Sequence, residues 1–122
     1  MALTANVRES ADGKVRIADL RGRITLGEGA AQLRELIHGE LAQGHRSLLL
    51  NMAGVAYMDS SGLGELLSGR TAVSRQGGAL KLLNLSKKVR DLLQVTRLSS
   101  AFDVHDDEQR AVESFSAGRS PI

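Results

Sequence analysis

The sequence has no cysteine, a single proline and only three aromatic side chains among 122 residues. Without cysteine there can be no disulfide, no thiolate nucleophile and no thiolate metal ligand. The aromatics are Tyr57, Phe102 and Phe115, with no tryptophan. A module that stacks nucleic-acid bases needs more than these, so that class is disfavoured. Charge of one sign is also scarce. Sixteen Lys+Arg stand against fourteen Asp+Glu, a net charge of +2 at pH 7. That excess is too small to drive binding to nucleic acid by counterion release. No apolar run approaches the roughly 20 residues of a membrane span, and Met1 to Ser10 contains no signal-peptide core. A cytoplasmic protein with no membrane partner is expected. The three histidines, His38, His45 and His105, share no metal-ligand spacing, so no metal and no other cofactor is expected.

A hydrophobic fraction of 42% and a charged fraction of 25% describe a chain that folds and buries a core. The length suits one domain over residues 1–122, with 118–122 as a flexible tail. The one proline, Pro121, lies near the end, so glycine supplies the punctuation.

Val7 to Ser10 and Val15 to Arg21 read as two short strands joined by a hairpin turn at Asp12-Gly13. Gly22, Gly27 and Gly29 mark a loop. Ala30, Leu33, Ile37 and Leu41 then share one face of a helix over Glu28 to Gln43, which Gly44 ends. Its polar face carries Glu35 and Glu40 beside Arg34, unlike the cationic face of a membrane-surface helix. Ser47 to Met52, with Leu48-Leu49-Leu50, suits a strand buried on both faces. Asn51 to Met58 leads into Asp59-Ser60-Ser61-Gly62. A helix follows to about Gln76, with Leu63, Leu66, Leu67 and Val73 inward, until Gly77-Gly78 stops it. Leu80 to Leu85 is the next strand. Ser86 caps a helix that buries Val89, Leu92 and Leu93. Phe102 to Val104 forms a last short strand, and Asp106 or Asp107 caps a helix carrying Val112 and Phe115. This order predicts an α/β fold: a mixed sheet opened by a β-hairpin, with about four helices packed mainly on one side.

Met58-Asp59-Ser60-Ser61-Gly62-Leu63-Gly64 is the unusual passage. Two glycines stand in the first turn of a helix, where each costs up to about 1 kcal/mol. One reason for them is a helix N-terminus left bare for another surface to approach. Free N–H groups and the positive end of the dipole also favour a phosphate there. Helix capping explains one of Asp59, Ser60 and Ser61 well, but the whole run poorly. A nucleophile elbow needs glycine where Met58 or Asp59 stands, and no histidine lies in an obvious partner loop. A P-loop fails because no Gly-Lys-Ser/Thr follows. No enzyme activity is expected.

Tyr57-Met58-Asp59-Ser60-Ser61-Gly62-Leu63-Gly64, after the Leu48-Leu49-Leu50-Asn51 strand, resembles the signature of STAS domains. More narrowly it is similar to bacterial anti-sigma factor antagonists. Gly77-Gly78-Ala79-Leu80-Lys81-Leu82 and Ser86 to Leu93 extend the resemblance over nearly the whole chain. The resemblance implies a partner-switching regulator of sigma-factor-dependent transcription. Its partner would be an anti-sigma factor that is also a serine kinase of the histidine-kinase-like ATPase fold. The unmodified antagonist binds that kinase; phosphorylation releases it, and a PPM-type phosphatase resets it. By motif the phosphoacceptor is Ser60, with Ser61 the second choice. Asp59, Ser61, Gly62, Leu63 and Gly64 would make the partner-binding segment. STAS domains also serve as non-switching subunits that dock on transporter ATPases or signalling scaffolds, which is the alternative. One departure stands out: Gly22-Arg23-Ile24-Thr25 occupies the place of the family's Gly-Glu-Leu/Ile-Asp, so both acidic positions are gone.

Charge is unevenly spread along the second half. Arg70 to Arg97 holds seven basic residues and one acid, and Asp103 to Glu113 holds five acids and one arginine. Solvated helix faces explain this simply; the sharper reading is a basic rim, including Lys87, Lys88 and Arg90, that meets an acidic partner. Ser86 reads as a cap and not a second phosphosite. Tyr57 is expected to pack in the core; exposed, it would be an anchor for a partner.

Overall fold

Two strands open the chain in the computed structural model, which describes residues 2–117; the tail expected over 118–122 lies outside them. Strands β1 (Leu3–Glu9) and β2 (Arg16–Ile24) pair antiparallel, from Leu3 opposite Gly22 to Glu9 opposite Arg16. The turn falls at Asp12-Gly13, as expected. Asp12 accepts bonds from the Ser10 hydroxyl and the Lys14 N–H, and Gly13 takes a φ of 72°. Both strands are longer than expected. Gly22 is not in a loop but inside β2, with a φ of 118°. A Cβ there would lie 2.1 Å from the Ala2 carbonyl oxygen. Its glycine serves a close approach of two backbones, which a sequence reads as a break.

Helix α1 (Glu28–Ala42) buries Ala30, Leu33, Ile37 and Leu41, the face predicted from their spacing. Strand β3 (Ser47–Met58) follows, then α2 (Ser60–Arg75), β4 (Ala79–Leu83) and α3 (Lys87–Val95). A 3-10 turn over Ser99–Ala101 precedes β5 (Val104–His105) and α4 (Glu108–Ala117). Ser86 caps α3 by accepting from the Val89 N–H, and Asp107, not Asp106, caps α4 by accepting from the Arg110 N–H at 3.0 Å. Phe102 precedes the last strand and is buried. The sheet runs β1-β2-β3-β4-β5, with β2 to β5 parallel. No helix among the described residues is long and apolar enough to cross a membrane.

The sheet's two faces are covered unequally. Leu48, Leu50, Met52 and Leu82 face α1, α2 and α3, where Leu33, Ile37, Leu63, Leu66, Val89 and Leu93 meet them. Val15, Ile17, Leu49 and Leu83 face the other way, under Ala111 and Phe115 of α4. Leu48-Leu49-Leu50 is thus buried from both sides, as a central parallel strand requires. Helix α4 is tied down by Arg8, whose guanidinium bonds Asp19 of β2 at 2.7 Å and Glu108 at 2.6 Å.

Strand β3 runs six residues past the expected Met52. The nine residues of β2 pair with Leu48–Met58, which is two residues longer, and the register shifts between Asp19 and Arg21 and again between Gly22 and Arg23. Each extra residue is a bulge that swaps the faces of the residues beyond it. Burial therefore passes from Leu48, Leu50 and Met52 to Val55 and then Met58. Strand β4 pairs with β3 only as far as Asn51 opposite Leu83. Beyond that point β2 and β3 project together and deliver the chain to Asp59.

Candidate functional site

Asp59 follows β3 in an extended conformation and is the residue that caps α2. Its Oδ1 accepts from the Gly62 N–H at 3.0 Å, and its Oδ2 accepts from the Leu26 N–H at 2.9 Å. One carboxylate thus ties the start of α2 to the loop between β2 and α1. The N–H groups of Leu26 and then Gly62 favour the ionised form and hold the carboxyl below its ordinary range. The structure chooses among the three capping candidates, and leaves both hydroxyls to other roles.

Ser60 is the first residue of α2 and is exposed, while Ser61 is half-buried. The two glycines have different reasons. A Cβ on Gly62 would lie 2.0 Å from the Ile24 carbonyl oxygen and 2.8 Å from Ile24 Cγ2. Only glycine lets α2 sit on the end of β2. A Cβ on Gly64 would meet nothing within 4 Å, and the residue is exposed. The bare surface expected of both glycines belongs to Gly64 alone. Leu63 is 4% exposed and points into the core, so Gly62 and Leu63 support the site from beneath.

Two neighbours join the site, one that reading the sequence missed and one that it expected in the core. Leu26, 79% exposed, stands on the loop that Asp59 holds; an isolated leucine between Thr25 and Gly27 is its one sequence signal. Tyr57 is 47% exposed and does not pack in the core. The second bulge sets it opposite Arg23, on the side away from buried Ile24 and Met58. Lys88 Nζ lies 5.8 Å from the centre of its ring. Within Gly22-Arg23-Ile24-Thr25, Ile24 is core, Thr25 accepts from the Ala30 N–H, and Arg23 is exposed beside Tyr57. Of the expected basic rim, Lys87 is paired with Asp91 at 2.9 Å, whereas Lys88 faces the tyrosine.

The larger clefts lie elsewhere. One of about 610 Å³ is lined by Asn6, Asp19, Arg21, Asn51 and Gly54, and one of about 380 Å³ by Val15, Ser47, Val112 and Phe115. A serine, a histidine and an aspartate do meet near α4, but not as a catalytic triad. Ser114 Oγ at 3.4 Å and Asp103 Oδ1 at 3.0 Å both approach the same ring nitrogen, Nε2 of His105. A triad needs the acid on one ring nitrogen and the nucleophile on the other. Ser114 Oγ is moreover committed to the Ala111 carbonyl at 2.6 Å. Among the described residues no three of His, Asp or Glu group as metal ligands.

The model of the STAS domain family matches residues 7–111. An anti-sigma-B factor antagonist of Bacillus subtilis is 36% identical over 73 residues, which are 60% of this chain and 67% of that one. A crystal structure from Thermotoga maritima superposes with a TM-score of 0.82 at 23% identity, over 92% of this chain and 94% of the other. The Bacillus protein SpoIIAA, an anti-sigma factor antagonist, has been solved in two forms. Its unphosphorylated form gives a TM-score of 0.67 at 22% identity, over 95% of this chain and 100% of the other. Its phosphorylated form gives 0.68 at 23%, over 91% and 98%. At these identities the structural likenesses bear on the fold.

Proposed function

Since this chain belongs to the STAS domain family, and within it to the anti-sigma factor antagonists, we propose that it is a partner switch controlled at Ser60. The unmodified protein binds an anti-sigma factor that is also a serine kinase of the histidine-kinase-like ATPase fold, and so frees a sigma factor for transcription. Phosphorylation of Ser60 ends the binding, and a PPM-type phosphatase restores it. The observation that carries this reading is the position of Ser60: exposed, at the first residue of α2, with the adjacent cap made by Asp59 and not by itself. Its hydroxyl is therefore available to a kinase without loss of the cap. Ser61, half-buried, is the second choice.

Asp59, Ser61 and Gly64 form the surface around the acceptor, and Gly62 and Leu63 fix that surface against β2. A phosphate adds roughly −1.5 to −2 charge beside the ionised Asp59. The helix N-terminus tolerates it. The effect then falls on the partner. Reversing a 1:99 equilibrium takes about 5.5 kcal/mol of differential affinity, and burying an unpaired dianion against a fitted surface supplies several of those. The protein acts as a regulator in the cytoplasm and catalyses nothing itself.

Wild-type and Ser60→Asp protein, used as parallel baits in lysate of the source cells with ATP or ADP, test the reading. The wild type should retain a kinase-like ATPase that the variant loses, and that ATPase should phosphorylate Ser60 in purified protein. If both baits hold the same partner equally and no phosphate reaches Ser60, the switch is refuted. A non-switching docking subunit is then the better description.

A further inference from the structure

Around the end of the molecule that carries Ser60, several carboxylates are occupied while three cations have no acidic partner among the described residues. Asp59 is held by the Leu26 and Gly62 N–H groups, Glu28 by the Ala2 N–H at 2.8 Å, and Glu65 by Arg34 at 3.4 Å. Asp91 is held by Lys87, and Asp19 by Arg8 and Asn51. Arg21, Arg23 and Lys88 have no carboxylate within 4.0 Å among the described residues.

Arg21 and Arg23 share one sheet face, and Lys88 comes to the same tyrosine from α3, past the stretch of β3 beyond Asn51 that β4 leaves unpaired. Arg21 and Arg23 leave β2 on the sheet face opposite Leu20 and Ile24, on the half that α4 does not cover. Arg23 pairs in register with Tyr57, and Lys88 stands over the same ring at 5.8 Å. The result is an exposed tyrosine flanked by unpaired cations, three residues before Ser60. An aromatic anchor with neighbouring positive charge is the composition of a protein-docking surface, and its sign fixes the partner's sign.

We propose that Arg21, Arg23, Tyr57 and Lys88 receive an acidic segment of the protein that binds at Ser60. This rests on the partner-binding reading of that site and adds the charge of the partner's contacting surface. The segment's carboxylates meet the guanidinium and ammonium groups, and its side chains cover the Tyr57 ring.

The full chain, labelled with nitrogen-15, is titrated with a capped octa-glutamate peptide at low salt, and with octa-lysine as the control. Amide shifts on adding octa-glutamate should concentrate at residues 21–26, 54–58 and 87–89 and vanish on adding salt. The Arg23→Gln/Lys88→Gln double variant should bind about tenfold more weakly, the upper range for two exposed ion pairs. The charge-preserving Arg23→Lys/Lys88→Arg variant should bind as wild type, which separates charge from folding. Shifts spread equally over Lys14, Arg70, Arg75 and Arg110, or absent, would overturn the proposal. So would unchanged affinity in the glutamine variant. Because Ser60 takes no part in this readout, a localised response with no phosphorylation sinks the switch and leaves the acidic partner standing. Phosphorylation without a localised response does the reverse.

Discussion

Gly62 and Gly64 show how two identical residues, two positions apart in one helix, serve opposite ends. Gly62→Ala drives a methyl onto the Ile24 backbone carbonyl, 2.0 Å away, which no rotamer change relieves. It should destabilise by about 1–3 kcal/mol, the usual cost of overpacking, seen as a lower urea midpoint with an unchanged slope. Gly64→Ala has open space and should leave stability equal or raise it by up to about 1 kcal/mol through helix propensity. If Gly64 is instead a surface for a partner, that same stable variant should bind it less well. Asp59→Ala removes the cap and the link to Leu26 together. A loss of about 1 kcal/mol in a denaturant titration is expected from the cap alone. The sign with pH comes from the depressed pKa: the contribution is whole above the ordinary carboxylate value near ~4 and fades as pH falls through the folded value. The gap between wild type and Asp59→Ala should therefore narrow in acid, and a constant gap from pH 7 to pH 2 would contradict it.

At the scale of elements, α4 stands apart from the other helices. The other three helices share one face and one core, while α4 alone covers Val15, Ile17, Leu49 and Leu83. Phe115 fills that contact, with Lys81 Nζ 4.9 Å from its ring centre. Phe115→Ala should cost about 3 kcal/mol, the lower end of such truncations, because the site lies at the edge of the sheet's cover. Glu108→Gln breaks only the half-exposed Arg8 clasp. It should cost no more than about 1 kcal/mol, visible as faster amide exchange within α4 and little change elsewhere. Bonds from Arg8 depress both Glu108 and Asp19. The clasp is thus intact above the carboxylate range and opens as pH falls below ~4. Exchange in α4 should then accelerate in acid before the rest of the fold.

Over the whole molecule, the candidate segment around Ser60 is separated from the covering helix. Ser60 lies where β2 and β3 project beyond β4, whereas α4 packs on the opposite face around Leu49 and Leu83. A charge added at Ser60 therefore meets a helix N-terminus and solvent, not the core. Phosphorylated protein should melt within a few degrees of the unmodified protein, since a phosphate at a helix N-terminus changes stability by about 0.3–1 kcal/mol. Calorimetry of both forms checks this. A drop of about 10 °C or more, far beyond that range, would mean that the modification acts by unfolding and not by blocking contact.

The sequence by itself determined the α/β order, because helical and strand periodicities are local: Leu33, Ile37 and Leu41 recur at helical spacing, and Leu48-Leu49-Leu50 suits a strand covered on both faces. It also determined where the candidate site begins, since Asp-Ser-Ser-Gly-Leu-Gly needs no distant residue to be recognised. Only the tertiary structure decided which residue caps α2 and brought the Leu26 N–H from 33 residues away to the second oxygen of that cap. It decided the purpose of Gly62 through the close approach of Ile24, and of Gly22 through that of Ala2. It exposed Tyr57 as well. The face a strand residue takes depends on every bulge before it, and two in β3 leave no mark on the order of residues. What is periodic along the chain was legible; what depends on one strand being counted against another was not.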